Sequence, residues 1–153
     1  MRTLRIRDAV PADMGALREL YRRSSLSNDG DRANLLAHPD ALELSDLAVR
    51  EGRTRAAVVG DRIIGFATWL RAGDGIELED LFVDPEWMGR GAGRALVEDL
   101  VAMARSRGIR RIEVTANQHA HAFYAKVGFV AGHDALTRFG PAPRMHLQVM
   151  PEG

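Results

Sequence analysis

Cysteine is absent from the 153 residues. That excludes a disulfide framework, a thiolate metal site and a cysteine nucleophile. No apolar run reaches the roughly 18 residues that a membrane-spanning helix requires. The opening Met1-Arg2-Thr3-Leu4-Arg5-Ile6-Arg7 lacks the apolar stretch of a secretory leader, so a cytoplasmic protein is expected. An excess of either charge is also missing, with 21 Lys+Arg against 21 Asp+Glu. Nucleic-acid binding usually leaves a strongly basic footprint, so no nucleic-acid partner and no membrane partner are expected. Linkers, low-complexity tracts and long internal repeats are missing too, and residues 1–153 are expected to form one domain. What is present is ordinary for a soluble globular chain: 46% apolar and 27% charged residues.

The balanced total hides a segregation. Residues 24–46 carry Asp29, Asp31, Asp40, Glu43 and Asp46 against Arg32 alone. Residues 87–111 carry Arg90, Arg94, Arg105, Arg107, Arg110 and Arg111 against Glu98 and Asp99. Two readings stand side by side: docking surfaces for a ligand with two poles, or two solvated faces.

Periodicity orders the elements. Leu4–Arg7 alternates as a strand, and Asp13 opens a helix with Leu17, Leu20 and Tyr21 on one face. Ser27-Asn28-Asp29-Gly30 breaks that helix, and a weaker helical pattern spans Leu42–Val49. Ala56–Val59 and Ile63–Leu70 read as strands joined by Gly60-Asp61, and Ile76–Val83 as a strand ended by Pro85. Gly91–Arg107 carries an apolar helical stripe closed by Gly108. Arg111–Thr115 is a strand, residues 119–127 a short helix, and Phe129–Leu136 and Met145–Met150 two closing strands. The order βααβββαβαββ predicts a mixed α/β fold rather than a regular βαβ repeat.

The sharpest local signal is Val83-Asp84-Pro85-Glu86-Trp87-Met88-Gly89-Arg90-Gly91-Ala92-Gly93-Arg94, a strand end, a glycine-rich turn and a helix start. Glycines permit close backbone approach, and a helix N-terminus offers unpaired N–H donors with partial positive charge. The combination suits a pyrophosphate, with Arg90 and Arg94 adding charge. The plainer reading is a tight turn with a close helix–strand contact. The spacing is Gly-x-Gly-x-Gly, which matches neither a dinucleotide-binding fingerprint nor a P-loop.

These residues resemble the GNAT superfamily of acyl-CoA-dependent N-acetyltransferases. The family's pyrophosphate motif, Gln/Arg-x-x-Gly-x-Gly/Ala, falls on Met88-Gly89-Arg90-Gly91-Ala92-Gly93. Gly91 and Gly93 match it, and Met88 departs from it. A second stretch, Asn117-Gln118-His119-Ala120-His121-Ala122-Phe123-Tyr124-Ala125-Lys126-Val127-Gly128-Phe129, fits the family's Asn, Phe-Tyr and Gly-Phe in order. The resemblance implies a central, mostly antiparallel sheet splayed after the fourth strand and flanked by helices. It implies acetyl-CoA as co-substrate, held by Leu81, Phe82, Val83, Gly89, Arg90, Gly91, Ala92, Gly93, Arg94, Asn117, Phe123 and Tyr124, with no metal. It also implies a homodimer, for which a free edge on the closing strand Met145–Met150 is the structural ground.

Acyl transfer to an amine requires a neutral nucleophile and a proton for the departing thiolate. From the residues alone Tyr124 reads as a core ring beside Phe123; the resemblance makes it the acid. Carboxylates at Glu77, Glu79 and Asp80 are candidate bases, alternation placing Glu77 and Glu79 on one strand face and Asp80 on the other. The stretch Leu78–Val83 is similar to the diamine acetyltransferase branch, which makes Glu79 first choice and Glu77 second. His119 and His121, two apart on a helix, point roughly 200° apart and do not suit a shared ion. His121 reads either as a residue lining the acyl end or as a polar helix residue. The acidic stretch and the strand carboxylates favour a small cationic amine acceptor. Arg144, if it faced the acceptor, would instead favour an amino acid. The rival functions are a catalytically silent acyl-CoA sensor, a tRNA-modifying acetyltransferase, which the acidic stretch disfavours, and a peptide N-terminal or side-chain acetyltransferase.

Overall fold

Short strand repeats and two amphipathic helices determine how the backbone is laid out in the computed structural model. It describes residues 3–26, 44–116, 120–137 and 140–150. Those residues form β1 (Leu4–Asp8), α1 (Met14–Leu26), α2 (Leu47–Arg50), β2 (Thr54–Val59), β3 (Arg62–Ala72) and β4 (Gly75–Val83). They continue as α3 (Ala92–Ser106), β5 (Arg111–Thr115), α4 (His121–Lys126), β6 (Val130–Thr137) and β7 (Gly140–Gln148). The mixed sheet runs β1-β2-β3-β4-β5-β7-β6, with β4–β5 parallel and β1–β2, β2–β3, β5–β7 and β7–β6 antiparallel. The expected mixed α/β class and element order hold. Among the described residues, no helix is long and apolar enough to cross a membrane.

Two units can be described separately: Met1–Thr68 with Asp80–Leu96, and Trp69–Glu79 with Val97–Gly153. In the first, α1 starts where the sequence predicts. Asp13 accepts from the Val10 N–H at 2.8 Å and pairs with Arg7 at 2.8 and 3.1 Å, fixing the entry of the helix. Met14, Leu17 and Leu20 then bury one face of α1 with Ala56 and Val58 of β2 and Phe66 of β3. Burial of a side chain such as Leu17 or Phe66 contributes about 1.5–3 kcal/mol. The β2–β3 turn has its positive φ, 61°, at Gly60 alone, the pattern of a type II′ hairpin. Helix α2 is shorter than the Leu42–Val49 pattern suggests. Leu44, Ser45 and Asp46 lie outside it, and Ser45 Oγ accepts from the Leu47 N–H at 3.1 Å, so Ser45 acts at the helix start rather than within it. Residues 42 and 43 lie outside the described residues.

In the second unit β4 and β5 pair only through Ile76↔Ile112, Glu77↔Glu113 and Leu78↔Val114. Helix α3 ends in a Schellman arrangement at Gly108, φ 70°: the Ile109 N–H reaches the Ala104 carbonyl at 2.8 Å and the Gly108 N–H reaches Arg105 at 3.2 Å. Strand β7 corrects the sequence reading. It begins at Gly140 rather than Met145, despite Pro141 and Pro143. Pro141 and Pro143 lie opposite β6 only, beyond Thr115↔Arg144 where pairing with β5 ends, so a proline there interrupts no ladder on the β5 side. Strand β7 also lies between β5 and β6, paired with β5 from Arg144 to Gln148 and with β6 at Met145 and His146, so Met145–Met150 is not an edge strand and the structural ground for a dimer there is lost.

Gly75 and Gly15 give opposite expectations for the same substitution. A Cβ at Gly75 would stand 2.8 Å from the Arg111 carbonyl oxygen, so Gly75→Ala forces β4 and β5 apart. The expected loss is about 1–3 kcal/mol, seen as a lower Tm. Gly15, in α1, has nothing within 4 Å of such a Cβ, and Gly15→Ala is expected to raise Tm through the smaller entropy loss of alanine. Thermal melts of both variants check the pair.

Candidate active site

The glycine-rich segment has the local form that the sequence predicts. Strand β4 ends at Val83, Pro85–Trp87 make one 3-10 turn, and α3 begins at Ala92. Gly89 and Gly91 adopt φ of 78° and 89°, and a Cβ at either would meet nothing within 4 Å. Glycine is therefore required there by backbone conformation, and the surface beside both positions is open. The first α-helical bond of α3 runs from the Ala95 N–H to the Gly91 carbonyl at 3.0 Å, so the N–H groups of Ala92, Gly93 and Arg94 precede the helical ladder. Arg90 and Arg94 are exposed, Arg90 with its guanidinium 5.1 Å from the centre of the Trp87 ring. Open backbone, first-turn donors and two cations suit a diphosphate. Phe82 sends its ring into the core, 4.9 Å from Tyr21 and 5.7 Å from Phe66, so what it can offer a ligand is main chain. Leu81 and Val83 are half-buried.

Asp84 escaped the sequence reading. It is 2% exposed, and its carboxylate accepts from the Glu86 N–H at 3.0 Å, from Arg62 at 3.1 Å and from Arg23. The available signal was an Asp directly before a proline at a first helical position, a capping pattern. Burial pushes the Asp84 carboxyl up, but the Glu86 N–H and the two guanidinium groups outweigh it and hold it below the ordinary range.

The three candidate carboxylates of β4 have different surroundings. Glu77 meets Arg144 through both oxygens, at 2.8 and 2.6 Å. Arg144 also donates to Glu113 at 2.6 Å and to the Thr115 hydroxyl at 3.0 Å. The register explains the cluster: Glu77 and Glu113 are side by side on parallel strands, and the facing cation offsets their repulsion. Hydrogen bonds from Arg144, then from Arg111 at 2.6 Å, hold the Glu113 carboxyl low. The Arg144 fork is thus occupied by carboxylates of its own chain, which removes the ground for a substrate carboxylate there. Asp80 accepts from the Thr68 hydroxyl at 2.6 Å. Its charge adds to the effect of burial in raising the Tyr21 phenol above its ordinary range. Glu79 is exposed.

Asp13, Asp84 and Glu113 all lie low in the folded protein, Asp13 chiefly through its hydrogen bonds with Arg7. A carboxyl whose folded pKa is depressed stabilises the fold above its unfolded value, and that contribution is lost as pH falls through the folded value. Tm is therefore expected to hold between about pH 8 and pH 5 and to fall below about pH 4, checked by melts across that range.

Tyr124 is set by the local chain. Helix α4 closes at Gly128, φ 109°, with the Phe129 N–H on the Tyr124 carbonyl at 2.9 Å and the Gly128 N–H on Ala125 at 3.2 Å. This Schellman closure brings Phe129 against Tyr124, ring centres 5.2 Å apart, and the Phe123 ring centre is 5.3 Å away. Tyr124 is 5% exposed, while Phe123 and His121 are half-buried. Asn117, His119 and the acidic residues from Asp29 to Glu43 lie outside the described residues.

The fold is shared with solved structures. The PaiA N-acetyltransferase from Thermoplasma acidophilum in complex with coenzyme A superposes with a TM-score of 0.77 at 17% identity, over 95% of this chain and 99% of that one. In sequence, serotonin N-acetyltransferase 2, chloroplastic, of Oryza sativa subsp. japonica is 30% identical over 135 residues, which is 85% of this chain and 62% of the rice protein. The chain thus spans less than two thirds of that relative. Glucosamine 6-phosphate N-acetyltransferase of Trypanosoma brucei brucei is 30% identical over 140 residues, 81% of this chain and 92% of that protein. Residues 15–129 match the acetyltransferase (GNAT) family model, and the chain belongs to that family.

Proposed function

We propose that the protein is an acetyl-CoA-dependent N-acetyltransferase acting on the primary amine of a small cationic or zwitterionic acceptor, by direct attack within a ternary complex in the cytoplasm. The observation that carries this reading is the cradle: two open glycines of positive φ leading into the first turn of a 15-residue helix between exposed arginines. Acetyl-CoA supplies the activated acetyl group as a thioester. The Gly89–Arg94 main chain and the Arg90 and Arg94 guanidinium groups bind its pyrophosphate. Glu79 takes the amine proton through an ordered water, and Tyr124 donates a proton to the departing sulfur. Glu79 remains first choice because both oxygens of Glu77 are engaged by Arg144. The cationic side of the acceptor is favoured because the same engagement leaves Arg144 without a role toward a substrate carboxylate.

The test is release of free CoA thiol from acetyl-CoA with a panel of amines, amino acids and peptides. Amine-dependent release is expected. CoA binding without turnover of any acceptor would leave a silent binding module, and turnover confined to peptides would replace the small-molecule acceptor. Glu79→Gln separates base from bystander: kcat/KM is expected to fall most near neutral pH and to recover partly in alkali, where the amine arrives deprotonated. A variant profile parallel to wild type from about pH 6 to 10 would shift the base to Glu77 or to bulk water.

A further inference from the structure

We propose that Asp84 is a positioning residue for the coenzyme cradle, drawing α1, β3 and the 3-10 turn that leads into the glycine-rich segment onto one carboxylate so that residues 89–94 face a diphosphate in a fixed orientation. The role rests on the reading of those residues as the coenzyme site.

Three segments meet at Asp84. Arg23 comes from the last turn of α1 and Arg62 from the first residue of β3. The Asp84 N–H donates to the Ile64 carbonyl at 2.8 Å, and its own carbonyl accepts from the Trp87 N–H at 2.8 Å. Its Oδ1 accepts from the Glu86 N–H at 3.0 Å, closing the 3-10 turn. The turn places Trp87, and the Trp87 ring lies against the Arg90 guanidinium at 5.1 Å. A continuous set of contacts therefore runs from the buried carboxylate to a cation of the cradle.

A cap of this turn does not require a charged side chain. Ser, Thr or Asn would cap the same turn without placing an ionised group in the interior. A buried carboxylate is weak evidence for stability, because well-packed neutral replacements often do as well. What the charge adds is geometry: it fixes two long arginine side chains from two other elements. Charge balance fits the same purpose. Arg23 and Arg62 offset Asp84 and Glu86, so the carboxylate does not repel a polyanion bound a few residues along the chain.

This makes the sign of one substitution decisive. Asp84→Asn removes a negative charge and leaves Arg23 and Arg62 in excess. If Asp84 acted only through its field, the variant would bind CoA more tightly. If it acts by positioning, the variant binds CoA more weakly despite the added positive charge. The experiment is calorimetric titration of CoA into wild type, Asp84→Asn and Asp84→Ala, with steady-state kinetics on each. Asp84→Ala is expected to raise the CoA Kd and the acetyl-CoA KM by roughly tenfold or more. Acceptor KM and kcat at saturating acetyl-CoA are expected to stay near wild type. Asp84→Asn, which retains an oxygen for the Glu86 N–H, is expected to fall between the two. It also serves as the test should Asp84→Ala fail to fold. Unchanged or tighter CoA binding by folded Asp84→Asn would overturn the role while leaving the coenzyme site in place. No CoA binding by wild type would overturn the coenzyme site and this role together.

Discussion

Tyr124→Phe is expected to lower kcat by roughly 10²–10⁴-fold, the usual contribution of a positioned acid, while the KM for acetyl-CoA stays close to wild type. The substitution isolates the proton. The ring that packs against Phe123 and Phe129 is retained, as is the main-chain closure at Gly128 that uses the Tyr124 carbonyl. Folding should therefore survive, whereas Tyr124→Ala would remove a buried ring at about 3–5 kcal/mol and confuse stability with chemistry. An acyl donor with a more acidic leaving thiol needs less help from an acid and should narrow the gap between variant and wild type. Wild-type turnover in Tyr124→Phe would assign the residue to packing alone.

Gly91→Val is expected to raise the CoA Kd by at least roughly tenfold, because a branched side chain would stand in the open space beside the first turn of α3. A non-glycine residue at φ 89° also carries backbone strain of about 1–3 kcal/mol, which calls for a matched control. Gly108 provides it. At the other end of the same helix, with φ 70° and nothing within 4 Å of a Cβ, Gly108→Val carries comparable strain without touching the cradle. Titration calorimetry should show weakened CoA binding for Gly91→Val alone, and melts should show a lower Tm for both. A folded Gly91→Val with wild-type affinity would remove the cradle from the coenzyme site.

The element order, the strand–turn–helix form of the glycine-rich segment and the helix closures were legible in the chain because each is local. Alternation at Ile76–Val83, the three- and four-residue spacing of Leu17, Leu20 and Tyr21, and glycines at 60, 91, 108 and 128 act within a few residues of themselves. The conformations that they impose need no distant partner. Strand neighbours and charge partners are a different matter. Period-2 patterning says which face of β7 is apolar but not that the strand inserts between β5 and β6, and its two prolines hide its first half. Arg144 finds Glu77 and Glu113, 67 and 31 residues away, only because register brings the three strands together. Asp84 meets Arg23 and Arg62 only because α1 and β3 deliver them to it. Backbone periodicity and turn chemistry are thus determined by the sequence itself. Which side chains meet, and which charges are neutralised, is decided only by tertiary packing, because those energies depend on separations that no local pattern encodes.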